Sequence, residues 1–257
     1  MKPIGLFFSK SRDSLKGNWG KAALTTLCFI LVIIVICFGI FVFFGNPSLM
    51  IASGIVTGKT SKIIFGIISY LITFFAIYPL GWSYATMFLS KIRGEEISIG
   101  DIFNGYSDAL RITWGYILVF LCQIVLAGLL AYAVSLSISS TSVTFVSSIL
   151  GYAVMLFVSI LFSQYTYIIF DDGDISAFDA LCKSVKLMDG HKFQYFVLLL
   201  ILVVGITLLS IITLGIGLFF LIPYIATVNA HFYESLEDSE DNTEEEEGDY
   251  EEIVANS

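Results

Sequence analysis

The chain has 257 residues, more than half of them apolar, with 14% charged residues and a mean hydropathy of +0.88. That balance excludes an ordinary soluble domain and points to a polytopic membrane protein. The net charge of −9 says little about the body of the chain, because 12 of the 22 acidic residues crowd into residues 234–252 and the remainder is mildly basic.

In chain order, residues 1–21 form a polar, basic segment expected to be amphipathic and cytoplasmic. The apolar run at 22–44 is too long for the core of a signal peptide and is followed by further runs, so it reads as a retained anchor. Further spans are expected at 63–89, 114–136, 145–170, 193–212 and 216–233. Residues 193–233 contain no Asp, Glu, Lys or Arg. As one helix they would reach about 60 Å, roughly twice the hydrocarbon thickness, so "TLGIG" at 213–217 is expected to turn the chain back. The runs lack the alternation of barrel strands, which leaves helices as the spanning element. Eleven of the 13 basic residues fall on one side of this arrangement and only Lys59 and Lys62 on the other, which predicts cytoplasmic termini. The "SISSTSV" connection carries no charge, as expected of a short segment on the far side.

A polar phrase recurs. "EEISIGDIFNG" at 95–105 and "DDGDISAFDAL" at 171–181 place Ile-Ser-x-x-Asp at the same offset after a span. A shift of 78 residues superposes Ile97, Ser98 and Asp101 on Ile175, Ser176 and Asp179, and with a one-residue gap the likeness runs into the next span. "DSLKGNWGKAALTTL" is a third version, and "YPLGWSYATMF" around Pro79 answers "IPYIATVNAHF" around Pro223. The expected fold is therefore all-α, a polytopic membrane bundle of six transmembrane helices in three hairpin-like repeats with cytoplasmic amphipathic helices. Ser98 and Ser176 read as N-caps with Asp101 and Asp179 completing a capping-box pattern. Ile99, Ile102, Phe103, Tyr106 and Leu110 form one apolar stripe, and Phe178, Leu181, Val185 and Met188 another.

Chemistry is sparse. Cys28, Cys37, Cys122 and Cys182 lack metal-ligand spacing. "DDGD" at 171–174 departs from the calcium-loop pattern and reads as a turn leading to a cap. His231 and Glu234 stand at i, i+3 with Asn229 nearby, a metal-compatible spacing without further ligands, so interfacial hydrogen bonding is the preferred reading. The spans hold no deep charge, which argues against ion-coupled transport. No nucleophile–base pair or phosphate loop is present, so neither an enzyme activity nor a cofactor is expected. Pro79, Gln164, Pro223, Asn229 and His231 remain as candidate cavity or kink positions. The acidic segment, 234–257, is expected to be a disordered cytoplasmic tail.

The stretches "LKGNWGKAA", "AFDALCKSVKLMDGHKFQYF" and "TLGIGLFFLIPYIATVNAHFYESL" resemble the bacterial integral membrane proteins catalogued as domain of unknown function 975. More distantly they are similar to the membrane portion of some glycerophosphodiester phosphodiesterases. The resemblance covers nearly all of the chain before the acidic tail and implies a six-span plasma-membrane protein of a bacterium. It carries over no catalytic residue. The expected role is a non-enzymatic scaffold or accessory protein engaging the lipid bilayer, a protein partner or a second copy, with the acidic tail available to a basic partner and no role for nucleic acid. The alternative is a small passive transporter, channel or lipid-handling protein.

Overall fold

A computed structural model describes residues 2–44, 59–135 and 141–255. Its elements are α1 (Ile4–Ser14), α2 (Trp19–Phe44), α3 (Lys59–Ile92), a 3-10 helix (Ile99–Tyr106), α4 (Ala109–Ser135), α5 (Thr141–Leu161), α6 (Tyr165–Asp171), α7 (Ala177–Leu187), α8 (Lys192–Ile212) and α9 (Leu218–Ala255). No strand occurs among the described residues. Residues 137–140 of the expected "SISSTSV" connection lie outside them.

Among the described residues, five stretches are long and apolar enough to cross a membrane: Trp19–Val42, Gly66–Ile92, Ala109–Ala133, Ser147–Asp171 and Lys192–Ile212. The expected sixth span, 216–233, is not among them. The first turns of α9 already carry Pro223, Asn229, His231 and Glu234, which dilute its apolar character. The turn before it forms as the two glycines suggest. Leu214 and Gly215 have φ of 50° and 88°, and Gly217 stands where a Cβ would meet the Thr213 hydroxyl at 2.7 Å.

Helices α2, α3, α4, α5, α8 and α9 contact one another in that order, and α9 returns to α2 to close a ring. Inside it, α3 packs against both α6 and α9, and Tyr167 of α6 stacks on Tyr233 of α9 at 5.1 Å. The short helices cover this inner set at one end, the 3-10 helix on α3, α7 on α6 and α1 on α9. Two packed clusters fill that end, one around Phe7, Leu89, Tyr165, Leu181 and Phe232, the other around Leu15, Phe88 and Ala226. Beyond it, large apolar side chains of α2, α3, α4, α5 and α8 are exposed.

Two details differ from the periodicity-based expectation. The fourth span is not one helix but α5 followed by α6, broken at residues 162–164. The Ser184 hydroxyl of α7 donates to Leu161 O at 2.9 Å and accepts from the Gln164 N–H at 3.3 Å, replacing helix hydrogen bonds across the break. The apolar stripes of the short helices are not simply the packed ones. Ile102 and Gly105 face the core, whereas Ile99, Phe103, Tyr106 and Leu110 are exposed; in α7, Ala177, Ala180, Leu181, Ser184 and Leu187 are buried and Phe178 is exposed. Small residues win the inner face because close approach of two backbones needs them. A Cβ on Gly105 would run into the Pro79 carbonyl oxygen and the Ser83 hydroxyl.

The caps form. Ser98 Oγ accepts from the Gly100 N–H at 3.3 Å while Asp101 accepts from the Ser98 N–H at 3.1 Å. Ser176 Oγ accepts from the Asp179 N–H at 3.1 Å and donates to its carboxylate at 2.6 Å. All four cysteines are free, and Cys182 sits in α7.

Candidate functional site

The three inner helices meet at the end that carries the short helices, and the charges gather there. Arg93 follows the last residue of α3, Asp171 closes α6, and Tyr233, Glu234 and Glu237 occupy successive turns of α9. The Arg93 guanidinium grips Asp171 with two hydrogen bonds, of 2.5 and 3.0 Å. Its Nε donates to Glu234 at 3.2 Å and its remaining reach takes in Glu237 at 3.3 Å. This forked geometry suits guanidinium and not ammonium. The four side chains are between 24% and 34% exposed, so solvent screens them only in part.

Proton counting sharpens the picture. The Tyr233 oxygen lies 2.8 Å from Asp171 Oδ2 and 2.7 Å from Glu237 Oε1, yet its single proton can serve only one of them. Both contacts are hydrogen bonds only when a carboxyl holds a proton. Burial, with the Asp171 charge beside it, pushes the Glu237 carboxyl above its ordinary range. Hydrogen bonding to Asp171 raises Arg93 further above its already high value, so the guanidinium stays charged. One cation thus faces three carboxyls, and the cluster acts as a clasp between α3, α6 and α9. No group of three His, Cys, Asp or Glu side chains placed to hold a metal ion occurs among the described residues.

The five positions singled out in the sequence do not form this clasp. Pro79 and Pro223 are buried inside α3 and α9, and each carbonyl accepts from the hydroxyl four residues on, Ser83 at 2.9 Å and Thr227 at 2.8 Å. Gln164, 1% exposed, sits in the α5–α6 break with its amide nitrogen 2.8 Å from Ser163 Oγ and its amide oxygen unpaired. Asn229 accepts from the Tyr195 hydroxyl at 3.3 Å. His231 Nε2 lies 3.0 Å from Ser14 Oγ, which fastens α1 to α9. The spacing that joined Asn229, His231 and Glu234 therefore resolves into three separate contacts, with Tyr195, Ser14 and Arg93. None of the five lines the cavities beside Trp82 and Asp101, beside Lys183 and Glu237, or beside Tyr116 and Gln123.

The "DDGD" turn divides its labour. Asp172 accepts the N–H groups of Asp174 and Ile175, both at 3.1 Å, and so shapes the turn, while Asp171 belongs to the clasp. Arg111 donates to the carbonyls of Asp172, Gly173 and Ile175 and holds that turn against α4.

The family described as "Protein of unknown function (DUF975)" has a model that matches residues 8–240. The chain belongs to this family. The match takes in α1 from Phe8 onward, α2 to α8, α9 as far as Glu240 and all residues of the clasp. No curated protein and no solved structure matches the chain. The DUF975 assignment thus agrees with a membrane-type helical architecture and carries no activity with it.

Proposed function

We propose that this DUF975 protein is a non-enzymatic scaffold or accessory protein of a bacterial plasma membrane, crossing it six times with both termini in the cytoplasm and engaging lipid or partner proteins. The observation that carries the reading is the clasp. It ties the ends of α3 and α6 to the middle of α9 beside the stacked Tyr167 and Tyr233 rings, an arrangement suited to holding a bundle shut.

The three-repeat organisation draws support from a local correspondence. Gly105 and Ser184 are brought into register by the 78-residue shift with its one-residue gap. Each meets the preceding inner helix at its weak point. The Gly105 N–H donates to Ser83 Oγ beside Pro79 at 2.6 Å, and Ser184 bridges the α5–α6 break. Helix α1 on α9 would be the third such contact, made by the start of the chain on its last span. The sixth span would be 216–233, its polar residues satisfied inside the ring.

Reconstitution into sealed vesicles tests the role. The scaffold reading expects no flux of ions or small solutes above that of empty vesicles. Flux that disappears with Gln164→Leu or Asn229→Leu would replace it with the transporter reading. A lipid-handling role keeps a claim of its own, because one cavity opens between the spans.

A further inference from the structure

Ten residues of α3, α4, α5, α6 and the α5–α6 turn line a cavity of about 290 Å³, partly open at the side of the bundle. All ten fall within the apolar stretches Gly66–Ile92, Ala109–Ala133 and Ser147–Asp171. None is charged, yet most carry a hydroxyl or amide. Inside, the Tyr78 and Tyr116 rings lie 4.4 Å apart, and the Tyr116 hydroxyl pairs with Thr166 Oγ1 at 2.7 Å. The Gln123 amide nitrogen donates to Ser159 Oγ at 3.0 Å.

Two groups are left over. The Tyr78 hydroxyl and the Gln123 amide oxygen have no hydrogen-bond partner among the described residues. In water they would be hydrated. Between membrane spans the only abundant partner is a lipid, and an unpaired polar group there is costly. Tyr116 and Gln123 stand five and twelve residues into α4 from Arg111, which is about 8 and 18 Å at the helical rise. The recess therefore runs from the charged end toward the middle of the apolar layer. A ligand must bring polar oxygen to that depth and extend hydrocarbon beyond it.

The geometry points to this recess as a binding site for an uncharged lipid that presents a hydroxyl or ester, such as a diacylglycerol or a long-chain alcohol. A hydroxyl donates to Gln123 Oε1, and a hydroxyl or ester oxygen accepts from Tyr78. Without a cation on the lining, a phosphate would enter uncompensated, so the site selects against anionic phospholipids. The inference gives chemical content to the lipid-engaging part of the proposed function and rests on its membrane placement.

The test is photolabelling of the full chain in phosphatidylcholine nanodiscs with a diazirine-bearing diacylglycerol, mapped by mass spectrometry. Incorporation into nanodiscs is scored first, so a chain that fails to insert counts against the membrane reading and not against the site. Solute flux is measured separately and bears only on the scaffold role. Label is expected on α4 and α5 around Phe120, Gln123 and Ser159. Excess dioleoylglycerol or a long-chain prenol should compete with it, the stronger competitor identifying the lipid type, while phosphatidylglycerol should not. The Tyr78→Phe, Gln123→Leu double variant should lose labelling at least about fivefold, as expected for lost hydrogen bonds. Val119→Trp, which fills the recess from a different residue, should do the same. Each variant is scored only at unchanged thermal stability. Equal labelling of wild type and both variants, equal competition by phosphatidylglycerol, or label spread evenly over α2 and α8 would overturn the proposal.

Discussion

Phe88 and Phe38 are the same residue in two helices long and apolar enough to cross a membrane, yet Phe88 is 0% exposed and Phe38 is 66% exposed. The contrast holds for the two ends of the whole bundle. At the charged end, Leu89, Tyr165, Ile169, Phe232 and Tyr233 are closed off by the short helices and the clasp. At the other, Val35, Tyr132, Tyr152, Ile211 and Ile212 stand open. Apolar exposure on this scale needs a non-aqueous surrounding. One end is therefore stabilised by protein packing and the other by its medium, and substitutions should separate the two.

The largest effect is expected from Phe232→Ala. Its ring packs against Phe7 at 5.5 Å and Tyr195 at 4.9 Å, and truncation should cost about 3–5 kcal/mol, whereas Phe38→Ala should cost almost nothing in detergent. Thermal unfolding of the purified variants checks both, and equal losses would erase the distinction between the ends. Next come glycines. Gly105→Ala drives a methyl into the Pro79 carbonyl and Gly115→Ala into the Tyr165 hydroxyl, each expected to cost on the order of 2–3 kcal/mol. Gly128→Ala and Gly205→Ala meet nothing within 4 Å and should be neutral or gain up to about 1 kcal/mol. A loss at Gly128 or Gly205 would instead show that the exposed end packs against another chain.

The clasp should give a smaller loss. Arg93→Ala removes the cation shared by Asp171, Glu234 and Glu237 and should cost about 2 kcal/mol, with Arg93→Lys restoring only part because an ammonium cannot grip Asp171 through two nitrogens. The smallest effect concerns pH. Glu237 is raised in the folded protein, by burial first, so its ionisation opposes folding. As pH falls from above its raised value toward the ordinary 4.5, stability should increase, by less than about 1 kcal/mol, and below 4.5 this contribution is constant. Glu237→Gln should abolish that rise in a pH series of unfolding temperatures. A wild-type protein that weakens steadily on acidification through this window would remove the proton from Glu237.

What could be read from the sequence depended on range. The turn at 213–217 followed from an uncharged stretch too long for one helix. The Ser98 and Ser176 caps followed from residues three apart. The clasp could not be read this way, because Arg93 lies 78 residues from Asp171 and 141 from Glu234. A trace of it existed, since Arg93 follows one inner helix, Asp171 ends another and Glu234 follows the last apolar run, but nothing local joins them. The break at 162–164 was equally hidden, because the Ser184 hydroxyl that bridges it comes from another helix. Pro79 and Pro223 were recognised as related positions, and their matching carbonyl contacts with Ser83 and Thr227 agree with that. Helical spacing placed Ile102, Leu181 and Met188 on packed faces but included exposed Phe103 and Phe178 and passed over Gly105 and Ser184, which carry no hydropathy signal and owe their place to size.

The central claim is that the exposed end of the bundle lies in lipid while the charged end lies in water. Spin labels report it directly. Single labels at Ile34→Cys, Val125→Cys and Leu129→Cys, each with the other cysteines replaced, are compared in vesicles with a label on Cys182 of α7. The account predicts that oxygen, which partitions into lipid, relaxes the first three strongly and a water-soluble nickel chelate hardly at all, with the reverse at Cys182. Strong relaxation of Val125 and Leu129 by the nickel chelate would contradict it, as would protection of both from either reagent.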